Sequence, residues 1–234
     1  MIYYDYLPLS EDILEALGKL KINYVFQPIF YPDKKTIFAY EALMRPQDMT
    51  VTELIDEYTG LDKLHILEVA TFFGAMQAYQ LRGYTEKLCM NSFPSESFTP
   101  EEGKVFMDYY GSIEGLTIIE ILEYPYVNLE AVREKKMAAA SHSLMISIDD
   151  FGSGINNMEM VDLYDPHIVK IDRDLISFID KDRFKKEFVT QHVKEFHRRK
   201  IMVVAEGIER EEEFEFLKDI GVDFYQGFYL ARPS

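Results

Sequence analysis

The sequence predicts an α/β fold, a modified TIM (β/α)8 barrel whose first strand runs antiparallel to the others. Three observations carry that prediction. About eight β-rich runs alternate with helical patterns along an unbroken chain of 234 residues, with no proline- or serine-rich linker to divide it. The first two runs are joined only by Tyr31-Pro32-Asp33-Lys34-Lys35, too short for a parallel crossover but suited to a hairpin. From the second run onward, each ends in or carries a polar side chain of the kind found at a barrel mouth.

The elements follow in order. Ser10 to Leu20 is expected as a short amphipathic helix, with Ser10 as N-cap, Glu11 and Asp12 in the first turn, and Ile13, Leu14, Leu17 and Leu20 on one face. The strands are expected at Tyr24–Phe30, Thr36–Leu43, Lys87–Asn91, Thr117–Ile121, Leu144–Ile148, Ile168–Ile171, Ile201–Ala205 and Asp223–Tyr225. Helices are expected at Leu61–Leu81, Thr99–Tyr110, Leu129–Ser141, Asp182–Arg199 and Glu209–Ile220. Thr99-Pro100-Glu101-Glu102 is a capping box with proline at the first helical position, and Gly221 closes the last helix. Residues 1–23 then form an N-terminal helical extension and residues 24–234 the barrel, with no room for a second domain.

Composition narrows the function. Hydrophobic residues make up 47% of the chain and charged residues 28%, which is ordinary for a folded protein and excludes disorder. With 25 basic and 41 acidic residues the formal net charge is −16, which argues against polymeric nucleic acid and anionic membranes as partners. The single cysteine, Cys89, excludes an internal disulfide and a cysteine-rich zinc site. The N-terminus lacks a signal-peptide pattern, and apolar runs such as Ile201–Ala205 are strand-sized, so a soluble cytoplasmic protein is expected.

The strand ends carry the chemistry. The second strand ends in Glu41, the third in Asn91, the fourth in Glu120 and the fifth in Asp149-Asp150; the sixth carries Lys170, and the seventh and eighth end in Glu206 and Gln226. Singly, each is an ordinary polar strand terminus; together they favour a site. Two carboxylates about 4 Å apart repel by roughly 4 kcal/mol at an effective dielectric near 20. Five in one mouth would titrate upward unless cations sat among them. Oxygen donors without cysteine or histidine form a hard ligand set that favours Mg2+ or Mn2+ over zinc. Adjacent Asp149 and Asp150 would let one carboxylate bridge two ions, and Lys170 would hold a water or stabilise developing charge. The residues alone therefore point to a metal-dependent barrel enzyme acting on phosphate esters.

At these residues the sequence resembles the EAL domain family of cyclic-di-GMP phosphodiesterases. Tyr40-Glu41-Ala42-Leu43-Met44-Arg45 is similar to the family's Glu-Ala-Leu-x-Arg, and Gln27-Pro28-Ile29 to its Gln-Pro-Ile. Glu120-Ile121-Leu122-Glu123 resembles its Glu-x-x-Glu, and Asp149-Asp150-Phe151-Gly152-Ser153-Gly154 its Asp-Asp-Phe-Gly-[Thr/Ser]-Gly. Lys170-Ile171-Asp172, Ala205-Glu206-Gly207-Ile208-Glu209 and Gln226-Gly227-Phe228 complete the set in order, so that the match runs from about Tyr24 to Pro233.

The resemblance implies that Glu41, Asn91, Glu120 and Asp149 hold one metal, and Asp149, Asp150 and Glu206 a second. It implies that Lys170 positions the attacking water with Gln226 in support, and that Glu123 supports the loop Phe151–Asn157. Gln27, Leu43 and Arg45 would contact substrate, with Asp172 counted in the same set. The reaction implied is hydrolysis of cyclic-di-GMP to linear pGpG with two Mg2+ or Mn2+ ions, by a homodimer whose regulatory partner is not identified. A catalytically silent cyclic-di-GMP receptor acting through a protein partner is the alternative, and an adaptor using the fold alone is a third reading.

Two departures stand out. The stretch after Arg45 is shorter than usual and lacks the customary tryptophan, so one wall of the cleft can differ, and Ile155-Asn156-Asn157 replaces the usual Tyr-Ser-Ser. The histidines show no ligand spacing, Cys89 belongs in the core, and His197–Lys200 complements a helix dipole. The charge also takes on a local meaning. Two divalent ions would offset the acidity where a small dianionic nucleotide binds.

Overall fold

The computed structural model describes residues 2–111, 115–152 and 154–234. Its order is α1 (Glu11–Lys19), β1 (Ile22–Phe30), β2 (Ile37–Pro46), α2 (Val51–Gly60), α3 (Leu64–Arg82), β3 (Lys87–Ser92), α4 (Pro100–Tyr110), β4 (Thr117–Ile121) and α5 (Leu129–His142). There follow β5 (Met145–Phe151), α6 (Met158–Tyr164), β6 (Ile168–Ile171), α7 (Arg173–Ile176), α8 (Arg183–Arg198), β7 (Met202–Ala205), α9 (Glu211–Asp219) and β8 (Phe224–Tyr225).

The eight strands close into one barrel in chain order. β1 is antiparallel to both its neighbours, β2 and β8, while every other pairing is parallel. The expected topology is therefore the observed one. The six-residue connection between β1 and β2, residues 31–36, imposes the reversal, because a parallel return needs a crossover of a dozen residues or more.

Strand alternation builds the barrel interior in layers. Ala39, Cys89, Ile118, Ile168, Val204 and Phe224 pack with Ile29 into a buried cluster. On the parallel strands the polar residue lies two positions later, at Glu41, Asn91, Glu120, Lys170, Glu206 and Gln226. On the antiparallel strand it lies two positions earlier, with Gln27 before Ile29. One apolar floor thus carries one polar layer at a single mouth. The larger core lies between the barrel and its helices, where α3 contributes Leu67, Phe73, Met76 and Tyr79. Leu17 of α1 and Tyr4 and Leu7 before it are buried in this same core.

Several element boundaries differ from expectation, each for a local reason. The helix expected at Leu61–Leu81 is α3, Leu64–Arg82, and an additional helix, α2, precedes it at Val51–Gly60. Thr50 and Glu53 close a capping box that starts it, with Glu53 N–H donating to Thr50 Oγ1 at 3.2 Å and Thr50 N–H to Glu53 Oε2 at 2.7 Å. Ser10 stands at the N-cap position of α1 but makes no side-chain capping hydrogen bond. The Thr99–Glu102 capping box is present with Pro100 at its expected place. α9 begins at Glu211, and Gly221 follows its C-cap Ile220 with φ +87°. The short helices α6 and α7 were not expected; Asn157 and Asp172 cap them. β5 runs on through Asp149, Asp150 and Phe151, three residues past its expected end.

Candidate active site

The continuation of β5 creates the site's tightest feature. Neighbouring strand residues ordinarily face opposite ways. Here the β5–β6 register breaks between Ile148 and Phe151, and Asp150 adopts φ +48°. This bulge brings two consecutive carboxylates to one side of the strand. Ligand oxygens of Asp149, Asp150 and Glu206 all lie within 4.8 Å of one another.

Lys170 stands at the centre of the polar layer, 1% exposed. Its Nζ lies 2.8 Å from Glu120 Oε1, 3.3 Å from Glu41 Oε2, 3.1 Å from Asp149 Oδ1 and 2.6 Å from Glu206 Oε1. Burial alone would lower the lysine, but the combined field of Asp149, Glu120, Glu206 and Glu41 outweighs it and holds the ammonium well above its ordinary range. Burial and crowding act in one direction on the acids. Desolvation pushes Glu120 and Glu206 well above the carboxylate range, with Lys170 opposing. Asp150 is pushed up to about 7 by desolvation, then by the charge of Asp149 and a hydrogen bond with Asp172.

One ammonium does not satisfy the cluster. Asn91 Oδ1, Glu120 Oε2, Asp149 Oδ1 and Gln226 Oε1 are buried without a hydrogen-bond partner. Asp149 Oδ1 is an ion-pair neighbour of Lys170 yet lacks hydrogen-bond geometry toward it. Unpartnered buried oxygens are rare and call for an explanation. Three of these belong to residues expected as ligands, and hard cations take oxygen donors of this kind. The donor set therefore fits divalent cations. Asp149, Asp150 and Glu206 would surround one such ion, and Asn91, Glu120 and Glu41 offer oxygens to another.

Of the other expected residues, Gln226 donates from Nε2 to Glu41 Oε2 at 2.6 Å, orienting that carboxylate. Gln27 pairs in register with Glu41, and its Nε2 donates to the Ala231 carbonyl at 3.2 Å. Gln27, Glu41, Leu43, Asp150, Glu206 and Gln226 line a cleft of about 230 Å3. Arg45 and Asp172 do not line it. Arg45 is exposed and donates to the neighbouring Met44 carbonyl at 2.8 Å, while Asp172 accepts from Asp174 N–H at 2.6 Å as the cap of α7.

Glu123 reaches the loop it was expected to support. Its Oε1 accepts from Ile155 N–H at 2.5 Å, and a Cβ on Gly154 would lie 2.0 Å from that oxygen, so only glycine admits the contact. Asn156 Nδ2 donates to the Asp149 carbonyl at 2.6 Å, tying the loop back to β5. Ser153 of the same motif lies outside the described residues.

The cleft also contains residues to which the motif reading gave no role, two of them, Glu209 and Phe228, within the quoted motifs. Arg173, Glu209 and Phe228 line it, with Arg173 paired to Glu209 at 2.7 Å. Arg173 directly follows the Lys170–Asp172 motif and Phe228 ends the Gln226–Phe228 motif, so adjacency to a motif was the available signal.

Comparison with known proteins agrees with this fold. A standalone EAL protein from Vibrio cholerae, solved in its cyclic-di-GMP-bound form, is 27% identical with a TM-score of 0.83, covering 92% of this chain and 93% of its own. BlrP1 from Klebsiella pneumoniae, solved as a manganese and cyclic-di-GMP complex, is 25% identical with a TM-score of 0.79, covering 92% of this chain and 56% of its own. The cyclic-di-GMP phosphodiesterase TpdA of Vibrio parahaemolyticus is 25% identical across 97% of this chain, and the bifunctional diguanylate cyclase/phosphodiesterase MucR of Pseudomonas aeruginosa is 26% identical across 97%. This chain spans 43% and 35% of those two relatives' lengths. The EAL domain profile matches residues 10–233, and the chain belongs to the EAL domain family.

Proposed function

We propose that this chain hydrolyses one phosphodiester bond of cyclic-di-GMP to give linear pGpG, using Mg2+ or Mn2+. The observation that carries this reading is the polar layer itself: a buried Lys170 among four carboxylates, with two further oxygens of the expected ligands, Asn91 Oδ1 and Glu120 Oε2, left without a hydrogen-bond partner. A fold has no structural use for so many uncompensated buried charges. The cyclic-di-GMP-bound and manganese-bound relatives support the same conclusion.

In this reading Glu41, Asn91, Glu120, Asp149, Asp150 and Glu206 hold the metals, which when bound lower the pKa of water and screen the phosphate. The chain's own residues do the rest. Lys170, already within hydrogen-bond reach of the ligand carboxylates, orients the attacking water and supplies positive charge where the phosphate turns negative. Gln226 fixes Glu41 in one orientation. Glu123 and Asn156 hold the loop after β5 against the strand that carries Asp149 and Asp150. Gln27 and Leu43, which line the cleft, contact the nucleotide, and Arg45 and Asp172, which do not line it, complete the substrate set. Residues 1–23 serve as a helical extension that packs on the barrel wall.

The test is direct. The purified chain incubated with cyclic-di-GMP and Mg2+ or Mn2+ yields pGpG, and Glu41→Ala and Glu120→Gln abolish it. A chain that binds the nucleotide but releases no pGpG would be a receptor.

A further inference from the structure

A second buried ion pair lies outside the polar layer, in the wall between α3, α5 and the end of β3. Glu68 and Lys135 are 2% and 5% exposed, with Lys135 Nζ 3.5 Å from Glu68 Oε1. Their surroundings are mostly apolar: Phe72, Phe98, Phe106 and Ile119 line the adjoining cavity of about 240 Å3, with Thr99, Thr117, Glu134 and His142 among its polar members. An apolar pair would suit that environment, and replacing buried ion pairs by packed apolar residues is often neutral or stabilising. Stability therefore does not account for the charges.

Their contacts do. Glu68 Oε1 accepts from Ser92 Oγ at 2.6 Å, and Oε2 accepts from Phe93 N–H at 2.9 Å. Lys135 Nζ donates to the Phe93 carbonyl at 2.9 Å and also to the Glu96 carbonyl. All four bonds fall on residues 92–96, the segment that begins directly after Asn91. Helix α3 approaches this segment from one side and α5 from the other, so the pair clamps the chain as it leaves β3. Asn91 itself is loosely held, its Nδ2 lying 3.4 Å from the Ala42 carbonyl and its buried Oδ1 unpartnered. The β3–β4 ladder sets Asn91 opposite Glu120, and the Glu68–Lys135 pair fixes the backbone immediately after it.

We propose that Glu68 and Lys135 are positioning residues for Asn91, setting how far its amide oxygen reaches into the metal centre. The inference rests on the reading of Asn91 as a metal ligand. Groups behind a ligand commonly change metal affinity by about 10- to 100-fold when removed.

The test is a double-mutant cycle read by calorimetric Mn2+ titration of the full chain, with thermal unfolding without divalent ions as a separate readout. Glu68→Gln and Lys135→Met should each weaken Mn2+ binding about tenfold or more. In an Asn91→Ala background the same substitutions should change Mn2+ affinity by less than about twofold, because the ligand they position is gone. A purely structural pair would shift the unfolding temperature equally in both backgrounds and leave Mn2+ affinity unmoved. The paired variant Glu68→Gln/Lys135→Met, which leaves neither charge alone, keeps the cycle readable where a single variant folds poorly. If Asn91→Ala weakens Mn2+ binding but Glu68→Gln and Lys135→Met do not, or do so equally without Asn91, the proposal is overturned. If the wild-type chain binds no Mn2+, the metal reading itself fails first, and the proposal with it.

Discussion

Replacing Lys170 by methionine removes the one cation among the described residues that contacts Glu41, Glu120, Asp149 and Glu206, while keeping an unbranched side chain one atom shorter. Its Nζ lies between 2.6 and 3.3 Å from an oxygen of each. At an effective dielectric near 20, one such contact at 3 Å represents about 5 kcal/mol of attraction, and carboxylates about 4 Å apart repel by roughly 4 kcal/mol per pair. Desolvation and proton uptake offset most of these gross terms, and breaking one buried pair typically costs about 3–5 kcal/mol net. For a chain of this size that corresponds to a fall in Tm of roughly 10 °C. The assay is thermal and urea unfolding of wild type and Lys170→Met, each with EDTA and with Mn2+. The variant should be less stable by about 3–5 kcal/mol in EDTA. Mn2+ should stabilise it more than it stabilises wild type, because the metal then replaces the missing charge; saturating ligand alone adds about 2.7 kcal/mol at a hundredfold excess over Kd. If the variant in EDTA unfolds within about 0.5 kcal/mol of wild type, Lys170 is not the counterion of the cluster. Equal Mn2+ stabilisation of both proteins would refute the same reasoning from the other side.

Other predictions concern the scaffold. Gly154→Ala puts a methyl group against Glu123 Oε1 and should break its bond to Ile155 N–H. We expect a loss of turnover of tenfold or more with little change in Tm, measured by pGpG release and thermal unfolding. Gly227→Ala, at φ +156°, would place Cβ 2.1 Å from the Ile208 carbonyl oxygen, and urea unfolding should show a loss of about 2–4 kcal/mol. Thr50→Ala removes one half of the α2 capping box and should cost about 1 kcal/mol by the same measurement. His65 is raised to about 10 by hydrogen bonds with Glu102 and then Glu96. A raised histidine stabilises the fold fully below its unfolded pKa near 6.5, and the contribution fades as pH rises toward 10. The stability difference between wild type and His65→Ala should therefore shrink by about 1–2 kcal/mol between pH 6 and pH 10 after solvent screening. A difference that grows with pH would contradict the assignment.

The barrel and its reversed first strand were legible because both follow from local rules. Thr36 through Leu43 cannot pair in parallel with a strand five residues before it, whatever the remainder of the chain does. The polar layer was legible because alternation in a closed barrel gathers strand ends at one mouth. Its electrostatics were not. That Lys170 contacts four carboxylates depends on the stagger of several strands, as far as 129 residues away at Glu41, which no local pattern encodes. The bulge at Asp149-Asp150 was similarly hidden, since its signature is a register shift between β5 and β6 and a positive φ at an ordinary aspartate. Helix α2 could have been found from Thr50 and Glu53, a capping-box pair overlooked because the segment was read only as a shortened wall of the cleft. Glu68 lies in a helix with apolar residues on every face, so its burial comes from packing on both sides of α3 and not from amphipathic spacing. Arg45 belongs to the motif that named the site, yet it does not line the cleft and its exposed guanidinium donates to the Met44 carbonyl.

The measurement that tests the central claim most directly is chromatographic analysis of cyclic-di-GMP incubated with the purified chain and Mn2+, with calorimetric nucleotide binding on the same preparation. Wild type should convert cyclic-di-GMP to pGpG, and Glu120→Gln should abolish conversion while nucleotide binding persists. Bound nucleotide with no pGpG from the wild-type chain would contradict the account.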